Sequence, residues 1–323
     1  MKTFKHIDVK TVNKACDLLK AYRGKAKLIA GGTDLLGILK DRIVPDYPEA
    51  IINIKTIPGL NYIREDSKGL KIGGLTTLSN IAGSSVVKEK YKVLAEAAYA
   101  VATPQIRNMA TLAGNLCQEV RCWYYRYPHA IGGRLLCFRK GSGPCLAVSG
   151  DNRYHAILEG KGCFAVCPSD TAVALTALNA TIRITGTRKN RIVPVKEFFT
   201  TLGNLLQPAE IVTEIQIPKP LDKARQTFLK LTLRKPVDFA IVSVASIISL
   251  EGEVCRDASI ALGAVAPVPI KAVKAEQIIK GKPLDAKTAE EAAEAAVASA
   301  KPLSMNAYKI EETKILVQRA ILA

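Results

Sequence analysis

The sequence predicts an α+β protein in which α/β lobes are followed by an antiparallel domain, and three observations carry this. The first 55 residues alternate strand, helix and strand patterns around a buried run that stops at Gly31-Gly32. A Pro-Lys-Pro break stands at 218–220. Beyond it, three alternating apolar stretches are followed by helical pattern alone.

Taken in order, residues 4–9 read as a short strand and 11–22 as an amphipathic helix. Cys16 lies on that helix's apolar face with Val12 and Leu19, which is a core position. The run AKLIA at 26–30 is a buried strand, 35–40 starts a second helix, and 50–54 is another strand. Gly59 marks a turn, strand fragments follow at 62–64 and 70–73, and Thr77 is placed to cap a short helix. VLAEAAYAV at 93–101 is a strong helix former. Ser169 caps a helix reaching about Asn179, and 180–184, 192–194 and 211–217 alternate as strands. After the break, 227–234, 239–250 and 258–264 read as three antiparallel strands, the last two joined at Glu251-Gly252-Glu253. Segments 272–280, 285–300 and 310–321 are helical, and no internal repeat or low-complexity tract is present.

Composition narrows the function classes. With 48% hydrophobic and 23% charged residues the chain is globular rather than disordered. Its longest apolar run, 239–250, falls short of the ~20 residues that a membrane span needs. MKTFKHIDVK at the start is not a signal peptide, so a cytoplasmic location is expected, with cysteines as thiols or metal ligands. The net charge of +17 suggests nucleic acid at first sight, but the basic residues form no single block. No helix-turn-helix, zinc-finger or ribonucleoprotein signature accompanies them, so nucleic acid is not an expected partner. A solvated basic surface, or one docking acidic partners, accounts for the charge.

Six of the eight cysteines crowd between positions 117 and 167: Cys117, Cys122, Cys137, Cys145, Cys163 and Cys167. That stretch is rich in Gly, Arg and Tyr and has no sustained period, so it reads as a long loop. Loops of this length are rare in compact domains unless functional or tethered, and metal ligation would tether one. Four thiolates suit either an iron–sulfur cluster or structural zinc; paired CxxC knuckles are absent, which favours the cluster.

Two glycine-bearing segments can face an anion. Ala30-Gly31-Gly32-Thr33-Asp34 joins a strand to a helix, where successive N–H groups favour phosphate, although a plain βα turn explains it as well. Neither the Rossmann nor the P-loop fingerprint is present. The segment 102–115 adds Thr111, Gly114 and Asn115. Two such segments about 80 positions apart suit a long dinucleotide held between lobes, FAD better than NAD.

The motifs AGGTDLL at 30–36, ATLAGNLCQ at 110–118, CPSDTAVAL at 167–175, EIVTEIQIP at 210–218 and FLKLTLRKPVDFA at 228–240 occur in this order. Together they resemble the FAD-binding medium subunits of molybdenum hydroxylases, the xanthine and carbon monoxide dehydrogenase group. The resemblance covers essentially the whole chain. The cysteine insertion, with NLCQEVRC at 115–122 and CFAV at 163–166, is most similar to the β subunit of 4-hydroxybenzoyl-CoA reductase, which carries a [4Fe-4S] cluster there.

The resemblance implies a PCMH-type FAD-binding fold with three parts. These are an N-terminal FAD-binding lobe at 1–57, a second lobe at 58–218 with the cluster-bearing loop at about 117–167, and a C-terminal CO-dehydrogenase-flavoprotein-like domain at 219–323. Ile29, Ala30, Gly31, Gly32, Thr33, Asp34, Leu35 and Leu36 would cradle the pyrophosphate. Thr111, Gly114, Asn115 and Gln118 would line the other side. Asp170 matches the family's cofactor-contacting carboxylate, Val212 a position where backbone meets the flavin, and Lys230 a lysine near the isoalloxazine. The implied cluster ligands are Cys122, Cys137, Cys145 and Cys163, with Cys167 as the alternative fourth. Arg121, Arg126, Arg134, Arg139 and Lys140 would surround them, either tuning the cluster or forming a solvated face.

The expected function is therefore that of a flavin and iron–sulfur electron-transfer subunit in a complex resembling 4-hydroxybenzoyl-CoA reductase. It would relay electrons between an external carrier such as ferredoxin and a molybdopterin-binding large subunit, through a [2Fe-2S] small subunit, in a dimer of heterotrimers. The alternatives are an FAD subunit of a xanthine, CO or aldehyde dehydrogenase using NAD or another acceptor, and a zinc-stabilised basic binding protein. No acid–base catalyst is expected on this chain, whose three histidines (His6, His129, His155) are scattered in sequence.

Overall fold

A computed structural model describes residues 1–323 apart from Pro45, Arg134, Asp222 and Pro236. The N-terminal lobe is a parallel sheet in which Ala50–Asn53 lies between Lys5–Asp8 and Ala26–Ile29. The central strand AIIN is buried at all four positions, as a parallel strand covered on both faces requires. The helix Val12–Ala21 packs on this sheet through Ala15, Cys16 and Leu19, and Thr11 Oγ1 caps it by accepting from Lys14 N at 3.2 Å. Strand Ala26–Ile29 delivers the Gly31-Gly32 turn to the carboxyl edge of the sheet, where open α/β sheets hold ligands.

The middle lobe carries five antiparallel strands in the order Ile63–Asp66, Gly69–Gly73, Ile211–Pro218, Thr181–Thr185 and Asn190–Pro194. The strand latest in sequence is thus the central one. Helices Leu78–Gly83, Ser85–Lys90, Lys92–Tyr99, Pro104–Met109 and Leu112–Leu116 belong to the same lobe. The last two occupy the segment that reads from sequence only as a small-residue stretch. Pro at the first position of Pro104–Met109 and the Thr111 cap on Gly114 N are their local causes.

Helix Asp170–Ala177 is buried at every residue because it is packed between the middle lobe and the C-terminal sheet. Its small side chains, DTAVALTA, permit that close approach on all sides. The C-terminal sheet runs Arg225–Leu231, Val242–Glu251, Val254–Gly263 and Ile270–Lys271, so a two-residue fourth strand adds to the three expected. The expected strands 227–234 and 239–250 give up residues 232–241 to a connecting loop. Arg234 closes that loop on Asp238, with its N–H 3.0 Å from Oδ2 and its guanidinium 2.7 Å from Oδ1. Helices Val273–Ile279, Ala286–Val297 and Tyr308–Leu322 complete the C-terminal core.

Among its described residues the 117–167 segment has a helical turn at His129–Gly132, a 3₁₀ turn at Phe138–Lys140 and an isolated antiparallel bridge between Lys161 and Cys163. Its order comes from buried side chains that bond to backbone. Asn306 Nδ2 donates to the carbonyls of His155 and Ala156 at 3.1 and 3.2 Å. Asn152 accepts from Met305 N at 2.9 Å and donates to Ser304 Oγ at 3.0 Å. Lys309 Nζ, fully buried, donates to the carbonyls of His155 and Ala264.

No carboxylate pairs with Lys309 in any of these contacts, and burial pulls its pKa from 10.5 to about 7. The unfolded chain therefore binds more protons at this residue between those two pH values, so stability gains from rising pH there. Relative to Lys309→Met, the wild-type chain should gain at most about 1.4 kcal/mol per pH unit across that window. Urea denaturation of both proteins at several pH values measures it, and parallel pH profiles would contradict it.

Candidate functional site

One cavity of about 530 Å3 gathers residues from all three parts of the chain. Ile29, Ala30, Gly31, Gly32, Thr33, Asp34 and Leu35 line one wall, Thr111, Gly114, Asn115 and Gln118 another, and Asp170 and Lys230 lie with them. Leu36 and Val212 are not among its lining residues. Leu36 is exposed one helical position beyond the wall, and Val212 is buried in the central strand of the middle sheet.

The glycines are needed for close approach. A Cβ on Gly31 would overlap the carbonyl oxygen of Met109, so the turn and the 104–116 segment meet backbone to backbone. Gly32 has φ of 72°, in the left-handed region that favours glycine. Thr111 is spent as the cap of helix Leu112–Leu116. The Asn115 side-chain oxygen accepts from Ser169 Oγ at 2.6 Å and Thr171 Oγ1 at 2.7 Å, so its NH2 group is the one left to meet a ligand. Gln118 is held at both ends by protein, donating to Asn115 O at 3.0 Å and accepting from Arg121 at 2.9 Å.

Two buried carboxylates organise the walls. Lys230 Nζ lies 2.7 Å from Asp170 Oδ2 and 2.9 Å from Ala100 O. Burial pushes the Asp170 carboxyl above its ordinary pKa, against the pull of the Lys230 ammonium. Asp34 accepts from Glu119 N at 2.8 Å and Arg126 at 2.6 Å, and pairs with Arg121. Burial raises its pKa too, with Arg126 opposing. The Asp34 carboxylate thus faces the cysteine loop and is neutralised there, leaving its backbone at the cavity.

Cys122, Cys137, Cys145 and Cys163 line a second, small cavity together with Tyr124, Tyr125, Phe138, Arg139, Leu146 and Ala165. Cys167 lines other cavities, beside Pro168 and Ser169, and Cys117 borders the first cavity. Burial pushes the Cys122 thiol up to about 11, and the neighbouring Cys163 and Cys145 add to the rise. Burial also raises Cys163, with Arg139 opposing. Four mutually repelling thiolates can ionise together only around a cationic core, and that donor set suits iron–sulfur chemistry. Among the described residues no group of three or more His, Cys, Asp or Glu is placed to hold a metal ion.

The basic residues depart from expectation. Arg139 faces Cys163 and is bound to Glu119 at 3.2 Å, while Arg121 and Arg126 both pair with Asp34 and both donate to the Glu119 carbonyl, Arg126 also to that of Val120. Lys140 lies over the Tyr125 ring, and Arg134 falls outside the described residues.

A third cavity, of about 490 Å3, lies where the loop meets the C-terminal sheet. It shares Arg121, Pro168, Asp170, Asp238 and Phe239 with the first and also reaches Cys122, Trp123, Tyr154 and His155. Arg121 stacks over Phe239, 4.6 Å from the ring centroid. Sequence reasoning missed His155. Its only sequence signal is its place in the loop, and folding brings its Nε2 to 3.3 Å from Cys122 Sγ. Burial, followed by Lys309, lowers its pKa to about 4.

Residues 2–220 match the family model described as the FAD binding domain in molybdopterin dehydrogenase, and 227–323 match the CO dehydrogenase flavoprotein C-terminal domain. The aldehyde oxidoreductase FAD-binding subunit PaoB of Escherichia coli K12 is 34% identical over 320 residues, covering 96% of this chain and 94% of that protein. The carbon monoxide dehydrogenase medium chain of Hydrogenophaga pseudoflava is 29% identical, covering 99% and 96%. The structure of carbon monoxide dehydrogenase from that organism, lacking the Mo-pyranopterin moiety, superposes with a TM-score of 0.80 at 28% identity over 100% of this chain and 97% of that one. Quinoline 2-oxidoreductase from Pseudomonas putida 86 shares the fold, with a TM-score of 0.78 at 24% identity over 100% and 97%.

The Lys230–Asp170 pair yields a direct test. Lys230→Met should cost about 3–5 kcal/mol by stranding a buried carboxylate, and Asp170→Asn added to it should restore much of the loss. Urea unfolding of wild type, the two single variants and the double variant measures this; additive losses would show that the two residues do not act as a pair.

Proposed function

Since the chain belongs to the family of FAD-binding subunits of molybdenum hydroxylases, we propose that it is the flavin-bearing electron-transfer subunit of a xanthine, carbon monoxide or aldehyde dehydrogenase-type complex. The observation that carries this reading is the cavity of about 530 Å3, which collects thirteen of the fifteen positions expected to hold FAD. FAD, when bound, supplies the capacity to accept an electron pair and release it singly. The backbone N–H groups of Gly31 to Leu35 hold the pyrophosphate. Asp34 does not repel it, because Arg121 and Arg126 cancel the carboxylate from the far side. Lys230, fixed by Asp170 and Ala100, stands at the isoalloxazine end as the cationic half of a buried ion pair. Val101 and Ala102 add apolar wall next to the carbonyl of Ala100 that Lys230 bonds. The zinc-stabilised basic binding protein gives way to this reading.

Substrate chemistry then belongs to a molybdopterin-binding large subunit, reached through a [2Fe-2S] small subunit. The names of relatives support a multi-subunit setting: one is a medium chain, another a complex subunit. None of the described helices is long and apolar enough to cross a membrane. The three-part division at about 57 and 218 follows the three main sheets.

A narrower reading rests on the four-cysteine cavity. Cys122, Cys137, Cys145 and Cys163 would hold a [4Fe-4S] cluster, giving the chain a one-electron outlet toward a carrier such as ferredoxin. The 4-hydroxybenzoyl-CoA reductase-like activity stands behind the dehydrogenase reading, since the relatives described above are an aldehyde oxidoreductase and carbon monoxide dehydrogenases.

The purified chain should carry about one FAD and about four iron atoms. Cys145→Ser should lose the cluster iron yet keep FAD; full iron occupancy in that variant would remove Cys145 from the ligand set, and a colourless chain with one zinc would overturn the whole reading. Gly31→Ala should weaken FAD binding by about tenfold or more, equivalent to about 1.4 kcal/mol, with iron retained. Flavin fluorescence and metal analysis score both variants. In the assembled complex, bleaching of the flavin by an aldehyde, xanthine or carbon monoxide identifies the substrate class.

A further inference from the structure

We propose that His155 is a positioning residue that donates a hydrogen bond from Nε2 to Cys122 Sγ and thereby sets the reduction potential of the cluster at its flavin-facing ligand. The inference rests on the four-cysteine reading above. Among the four cysteines, Cys122 is the one that lines both the cysteine cavity and the aromatic cavity continuous with the FAD site. His155 lines that same aromatic cavity, and its Nε2 lies 3.3 Å from Cys122 Sγ.

The direction of the bond follows from chemistry. A ligating cysteinate carries no proton and is only an acceptor. Nδ1 of His155 is buried without a hydrogen-bond partner. Placing the imidazole proton on Nδ1 would point the Nε2 lone pair at the thiolate. Placing it on Nε2 makes the bond and leaves only an unpaired acceptor, so the Nε2–H tautomer is favoured.

The ring has little freedom to leave this position. Its backbone N–H donates to Asn152 O at 2.9 Å, and its carbonyl accepts from Asn306 and Lys309, each at 3.1 Å. Trp123 packs edge-on at a centroid distance of 5.6 Å, and Tyr124 lies at 6.2 Å. Hydrogen bonds to cluster sulfur draw charge off the thiolate and favour the reduced, more negative cluster, raising its potential. The C-terminal helix Tyr308–Leu322, through Lys309, thus helps hold a donor against a ligand more than 150 residues away.

The test uses the intact chain with its cofactors. Redox titration followed by electron paramagnetic resonance should show the cluster of His155→Leu shifted to a more negative potential, with wild-type iron and FAD content. His155→Gln, which can donate from a similar position, should return the potential toward wild type. Because His155→Leu could fold poorly, a second readout uses the wild-type protein alone. Reduced cluster in 15N-histidine-labelled protein should show a hyperfine-coupled nitrogen with an exchangeable proton. Equal potentials in wild type and His155→Leu, or no histidine coupling in wild type, would overturn the proposal while leaving the cluster intact. Wild-type protein without iron would instead remove the cluster reading on which it stands.

Discussion

The Asp34 carboxylate is the constraint around which the site is organised. It is largely buried and anionic, so the structure must supply positive partners, and it draws them from the cysteine loop: Arg121, Arg126 and the backbone amide of Glu119. One side chain therefore joins the glycine turn of the N-terminal sheet to the start of a loop that has almost no regular structure. Removing both arginines would leave the carboxylate uncompensated in a low-dielectric setting, which is far more costly than losing an exposed ion pair. Thermodynamically, the order of the glycine turn and the order of the cysteine loop are linked through this node.

The same logic recurs at the other end of the cavity. Asp170 sits at the start of a helix enclosed on every side, and Lys230 reaches it from the C-terminal sheet. Two buried ionic contacts thus hold three parts of the chain around one ligand-sized space. Both are weak as bulk stabilisers, because desolvation offsets most of the attraction. Their value lies in geometry, since each misplacement would strand a charge.

The loop itself is bolted to the C-terminal domain by buried polar groups. Asn152, Asn306 and Lys309 convert irregular backbone into something rigid by satisfying its carbonyls and amides one by one. This explains how a segment lacking periodicity can hold four thiols around one small space. Three arginines of the loop are held by acids of this chain, Arg121 and Arg126 by Asp34 and Arg139 by Glu119.

Much was legible in the sequence because its signals are local. Helix caps at Thr77 and Ser169, the alternating strands of both antiparallel sheets and the Gly31-Gly32 turn depend on neighbours within a few positions. Clustering of the cysteines and the order of five motifs were likewise visible, and they led to the family and to thirteen of the residues that line the cavity. What the tertiary structure alone decided was which side chains meet across long separations. Nothing near Asp34 signals that its carboxylate turns away from the ligand space toward Arg121 and Arg126. Leu36 and Val212 belong to motifs around the site yet lie outside it, because a motif marks a stretch of chain and the backbone decides which of its residues face inward. His155 shows the limit most clearly: it read as one of three scattered histidines, and only the packing of residues 33 positions apart places its ring against Cys122.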